Sequence, residues 1–157
     1  MKMHVLWWAI GLAAAGAACA HASGAGRGER EVRQVIDRFY EAAQRRDWDT
    51  AGALMASDFE LFTDGAESFA KEPYVALLKA DDLIVESMLL RDVRIDVAGD
   101  GTLAWATFRG EFSMSSHGKR HDVQTAETLI LSRTAGRWEI VRAHASVKPL
   151  AADPGAP

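Results

Sequence analysis

The chain has 157 residues, 48% of them hydrophobic and 25% charged, and a formal net charge of −4. This is the balance of a soluble globular protein of one domain, and a mildly acidic surface without Lys/Arg clusters argues against nucleic acid as a partner. Cys19 is the only cysteine, so no intramolecular disulfide can form and stability has to come from the core.

Residues 1–22 read as a secretory signal peptide. Lys2 precedes the apolar run VLWWAIGLAAAGAA from Val5 to Ala18, and the small residues after it suit cleavage behind Ala20 or Ala22. The run is shorter than the roughly 20 residues of a spanning helix. No stable membrane insertion is therefore expected after cleavage, and the expected location is a periplasm or the exterior. Anchoring through a lipid on Cys19 is the minority reading, since lipoprotein boxes resemble a Leu three residues earlier and Gly16 stands there. Cleavage removes Lys2, the only charged side chain of residues 1–22, and takes the net charge from −4 to −5.

Residues 23–28 read as a flexible linker, and the domain as residues 29–148. From Glu29 the spacing of Val32, Val35, Ile36 and Phe39 predicts a helix with one buried stripe, with Glu29 and Glu31 in its first turn and Arg45 and Arg46 in its last. Asp47 or Asp49 can cap a second, shorter helix through Trp48, Leu54 and Met55. Asp58 to Thr63 reads as a strand closed by an Asp64-Gly65 turn, and Pro73 suits the first turn of a third helix over Tyr74 to Lys79.

After Ala80 the period becomes that of strands. Four are expected, Ile84 to Val97, Thr102 to Met114, Arg120 to Arg133 and Arg137 to Lys148, joined by turns at Asp100-Gly101, His117-Gly118 and Ala135-Gly136. Helices followed by a meander of long antiparallel strands make an α+β fold. Residues 149–157 read as a loose tail.

Two-residue turns would fix the register. One cross-strand row then holds Val97, Ala104, Leu131 and Ile140, and the next holds Ile95, Ala106, Leu129 and Arg142. The rows after those hold Val93, Phe108, Glu127 and His144, then Arg91, Gly110, Thr125 and Ser146. The inner face is thus expected to be apolar at one end and to carry Arg91, Thr125, Glu127, Arg142, His144 and Ser146 at the other, the form of a small-molecule pocket. A three-residue turn at Thr134 to Gly136 would instead put Arg142 opposite Thr128 and separate Glu127 from His144.

The segment FYEAAQRRDWDTAGALMASDFEL, followed by a meander ending in GRWEIVRAHAS, resembles the SnoaL-like and ketosteroid-isomerase-like members of the nuclear transport factor 2-like superfamily. The resemblance covers about Glu29 to Lys148. It implies a cone in which a curved antiparallel sheet wraps around the N-terminal helices, often a homodimer through the outer sheet face, here expected to include Ile130, Val141, Ala143 and Ala145. The fold serves isomerases, dehydratases, cyclases and non-enzymatic domains alike.

Within the expected pocket, Glu127 opposite His144 is the candidate catalytic pair, a carboxylate orienting an imidazole as general base, with Arg91 or Arg142 to stabilise an oxyanion. The plainer reading is a structural salt bridge from Glu127 to an arginine. Tyr40, Phe108 and Trp138 complete the expected lining, although Tyr40 and Trp138 also suit the core. His117 and His121 flank a hairpin loop and are expected to be solvated, with no metal bound. No phosphate loop, dinucleotide fingerprint or nucleophile elbow occurs, so no cofactor is expected. Three functions fit: a binding domain for a small, mostly apolar molecule, a cofactor-independent isomerase, lyase or cyclase, or an association module acting through the sheet.

Overall fold

The helical stripe is buried as its spacing predicts. In the computed structural model, which describes residues 15–64, 67–80 and 82–150, with side chains from residue 26 onward, Val32, Ile36 and Tyr40 are buried along α1, Ala15–Gln44. Most of the expected signal run, Gly65 of the expected turn and residues 151–157 of the expected tail lie outside the described residues. Residues 23–28, expected as a flexible linker, are helical and belong to α1. Gly28 helps this part of the helix lie close against the sheet, because a Cβ there would stand 3.3 Å from Val97 Cγ1.

Asp47 caps α2, Trp48–Ala53, through a bond from the Thr50 amide to its carboxylate at 3.1 Å. The first strand starts earlier than expected, β1 spanning Met55–Thr63, so Met55 lies in the sheet and not in the second helix. A short strand that the sequence did not announce, β2, Ser68–Ala70, pairs antiparallel with β1 and leads into α3, Lys71–Ala80.

The meander follows as β3, Ile84–Val97, β4, Leu103–Ser116, β5, Lys119–Thr134, and β6, Arg137–Pro149. Two of its turns are the left-handed pairs expected, His117-Gly118 (φ 51° and 72°) and Ala135-Gly136 (φ 50° and 81°). The six-stranded sheet runs β2-β1-β6-β5-β4-β3, antiparallel except where β1 lies parallel to β6. It curves around the helices into the cone of an α+β fold. The core, centred on Ile36, Met55, Leu131 and Ile140, fills the space between them.

One-residue irregularities in β3 and β6 decide which side chains face that space. The β4–β5 pairing holds one register throughout, with Phe108 opposite Glu127 and Gly110 opposite Thr125. In β3 the pairing steps between Arg94↔Thr107 and Arg91↔Arg109, with Asp92 in a left-handed conformation (φ 54°). In β6 it steps between Leu131↔Ile140 and Ile130↔Arg142, so Val141 is the extra residue. Each bulge sends the residues beyond it to the opposite face, and a further step in β3, between Ser87↔Ser113 and Val85↔Met114, returns Val85 to the inner face.

Candidate ligand cavity

A cavity of about 360 Å³ lies between the helices and the inner face of the sheet. Phe39, Tyr40 and Ala43 of α1, Trp48 of α2 and Tyr74, Leu77 and Leu78 of α3 form its helical wall. The sheet wall consists mainly of aliphatic and aromatic groups, among them Phe59 and Leu61 of β1, Met88 of β3, Phe112 of β4 and Ala143 and Ala145 of β6.

Its polar end is built on Glu127. The Glu127 carboxylate accepts hydrogen bonds from the Tyr40 hydroxyl at Oε2 and from Thr125 Oγ1 at Oε1, the latter 2.7 Å long. Tyr40 is held by edge-on contacts with Phe39 and Phe108, ring centroids 5.2 and 5.7 Å away. Gly110, opposite Thr125, leaves room for this arrangement. A Cβ there would stand 2.2 Å from the Phe112 ring and 2.6 Å from Thr125 Oγ1.

Burial pushes the Glu127 carboxyl above its ordinary range, although the hydrogen bonds from Tyr40 and Thr125 pull the other way. The Tyr40 hydroxyl is driven well above its ordinary value, first by burial and then by the charge of Glu127. Tyr74 is pushed up to about 12 by loss of solvent and by the same charge. Both phenols therefore stay protonated at neutral pH, and the cavity presents one carboxyl among hydroxyl donors. A carboxyl set in apolar surroundings can bind a hydroxyl, or exchange a proton with a bound molecule.

Of the nine residues expected in the pocket, Tyr40, Thr125 and Glu127 meet there, and six do not. The β6 bulge turns Arg142, His144 and Ser146 outward, where they pair across strands with Ile130, Thr128 and Ala126. Glu127 stands opposite Ala145, so the expected Glu127–His144 pair does not form. Arg142 instead holds the bulge, donating to the carbonyls of Asp58 and Val141, both at 2.7 Å. The β3 bulge turns Arg91 outward onto Glu111, 3.0 Å away. Phe108 is inward but sits behind Tyr40 in the core.

Trp138 is also a core residue, donating from Nε1 to Glu31 at 3.2 Å beside a separate polar cleft. Ala143 and Ala145, expected on the outer face, line the cavity. The reading of the sequence missed Tyr74 and Met88 as lining residues; the apolar alternation of Ala143, Ala145 and Val147 was the signal for the true register.

The sequence profile of the SnoaL-like domain matches residues 32–150. The chain belongs to the SnoaL-like family. No curated protein matches it. Among solved structures, this SnoaL-like domain is similar to an NTF2-like protein of unknown function in nutrient uptake from Rhodospirillum rubrum, at 21% identity over 74% of this chain and 98% of that one, TM-score 0.69. An NTF2-like protein with a cystatin-like fold from Novosphingobium aromaticivorans is 19% identical over 93% of this chain and 96% of that one, TM-score 0.67. A ketosteroid isomerase-like protein from Erwinia carotovora atroseptica is 16% identical over 78% and 97%, TM-score 0.65. At these identities the likeness establishes the fold of the SnoaL-like domain and leaves its chemistry to its own side chains.

Proposed function

We propose that this SnoaL-like domain binds a small, mostly apolar molecule between its helices and the inner face of its sheet. The observation that carries the reading is the cavity itself: about 360 Å³, walled by aromatic and aliphatic groups, with Tyr40, Thr125 and Glu127 converging at one end. The neutral fluorophore N-phenyl-1-naphthylamine tests it. Its emission should rise on mixing with the protein, and the rise should be lost in Ala145→Leu, which fills the cavity from β6. Equal binding by a folded Ala145→Leu variant would reject the cavity as the site.

A second reading, proton transfer on the bound molecule, is favoured by one observation, the raised carboxyl of Glu127 held by Tyr40. It needs no imidazole, and Glu127 would act alone as the proton-exchanging group. Exchange of the α-hydrogens of a bound naphthyl ketone into deuterated water, abolished by Glu127→Gln, would support it. An unchanged exchange rate in that variant would remove it.

Export and a homodimer through the outer face, where Trp105 is exposed and Ile130 lies on the same side, accompany the proposal. Material from a periplasmic fraction should begin at His21 or Ser23 and sediment as a dimer. A terminus at Met1 would reject export, and a monomer would reject the interface.

A further inference from the structure

We infer that the cavity takes a protonated amine on an apolar frame, its ammonium seated against the Glu127 carboxylate among aromatic rings. The inference deepens the cavity-binding reading above and rests on it. Glu127 stands on the inner face opposite Phe108 and belongs to the cavity wall, as do both of its hydrogen-bond donors, Tyr40 and Thr125. Each of its oxygens accepts one bond, Oε2 from Tyr40 and Oε1 from Thr125, so each keeps a lone pair for another donor. Unlike the core residues around it, Glu127 keeps solvent-accessible surface, and the cavity is the space it lines.

The site has a negative charge and nothing positive to meet it. Among the described residues Glu127 has no cationic partner, and no Lys, Arg or His lines the cavity. Both of its donors are neutral hydroxyls, and burial lifts its carboxyl above the ordinary range although they pull it down. Another hydroxyl, brought by a ligand, would repeat what Tyr40 and Thr125 already do. An ammonium brings the missing counter-charge, and a charge-assisted bond is roughly twice as strong as a neutral one. The walls suit the same group. Tyr40 and Phe112 have ring centroids 6.1 Å apart, and Tyr74 lies near enough for the Glu127 charge, after burial, to help raise its hydroxyl. Such rings attract a cation to their faces, most strongly where water is excluded. A carboxylate or phosphate would enter the same space without a counter-ion and against Glu127.

Probes on one naphthalene frame separate the possibilities: 2-(aminomethyl)naphthalene, which is cationic at neutral pH, 2-naphthalenemethanol, 2-ethylnaphthalene and 2-naphthoate. In protein with ¹³C-labelled alanine methyls, the Ala143 and Ala145 resonances report entry into the cavity they line and give each affinity. The amine should bind roughly tenfold more tightly than the alcohol, the margin of a charged over a neutral hydrogen bond. Glu127→Gln removes the charge and keeps the shape. It should weaken the amine roughly ten- to a hundredfold and leave the alcohol and the hydrocarbon within about threefold. Naphthoate should bind more weakly than the amine.

An alcohol that binds as tightly as the amine, or an equal change of both in Glu127→Gln, would overturn the choice of an amine while leaving the cavity reading intact. An amine that leaves both methyls unmoved while the hydrocarbon moves them would overturn it too, as would tighter binding of naphthoate. Methyls that no probe moves in the wild-type protein would sink the cavity reading, and this inference with it. Amine and alcohol are compared in the wild-type protein, so the test stands even if the variant folds poorly.

Discussion

Replacing Tyr40 by Phe isolates one hydroxyl. The ring keeps its edge-on contacts with Phe39 and Phe108 and its place in the core, while Glu127 loses one of its two side-chain donors and retains Thr125. A hydrogen bond to a charged group contributes about 1.5–3 kcal/mol, so the variant should be about 2–3 kcal/mol less stable at neutral pH. For a domain of this length that is a fall of roughly 6–12 °C in melting temperature.

The effect should depend on pH in a definite direction. Burial raises Glu127 above its ordinary value, so the folded protein binds that proton more tightly than the unfolded chain does. The resulting stability is fully present below the unfolded value, declines as pH rises towards the folded value, and is flat above it. The Tyr40 bond lowers the Glu127 value. Its loss should therefore raise that value further and carry the decline to higher pH. Urea unfolding across a pH series, with ¹³C detection of the Glu127 carboxyl, measures both effects. A variant as stable as wild type at neutral pH, or a carboxyl that titrates lower than before, would refute the argument that this hydroxyl holds the buried charge.

Glu127→Gln keeps an acceptor for Tyr40 and removes the charge, so its stability should lose the decline with pH and exceed that of wild type at neutral pH; urea midpoints that fall with pH as before would assign the decline to another group. Gly110→Ala should destabilise by about 1–3 kcal/mol, since its methyl would collide with Phe112 and Thr125 Oγ1, and thermal melts should show this unless the paired strands separate locally. His144→Ala should change stability by less than about 0.5 kcal/mol, because the side chain is exposed opposite Thr128; a loss of several degrees in melting temperature would place the imidazole inside after all.

The helical stripe and the hairpins were legible in the sequence because each carries a local mark. Val32 and Ile36 are one helical turn apart, and the left-handed pairs His117-Gly118 and Ala135-Gly136 suit two-residue turns. Thr125 and Glu127 could be aimed correctly because β5 pairs with β4 without interruption. Arg91, Arg142, His144 and Ser146 could not, since each lies beyond a bulge on its own strand. A bulge has no period of its own. Asp92, of a residue type that tolerates the left-handed region, is a faint local hint, and Val141 offers none. Trp48 could be assigned to the core or to a ligand from its residue type alone, and the fold makes it a buried residue of the cavity wall.

The β6 bulge also bears on how such a domain changes over generations. β6 carries two complete vocabularies, Arg142, His144 and Ser146 in one phase and Ala143, Ala145 and Val147 in the other, and Val141 selects which is spoken inward. The character of the interior is thus inherited at the few positions that set phase as much as at the many that form the wall. A single-codon insertion or deletion near Val141 can exchange a greasy chamber for a charged one, without any substitution among the residues that change sides.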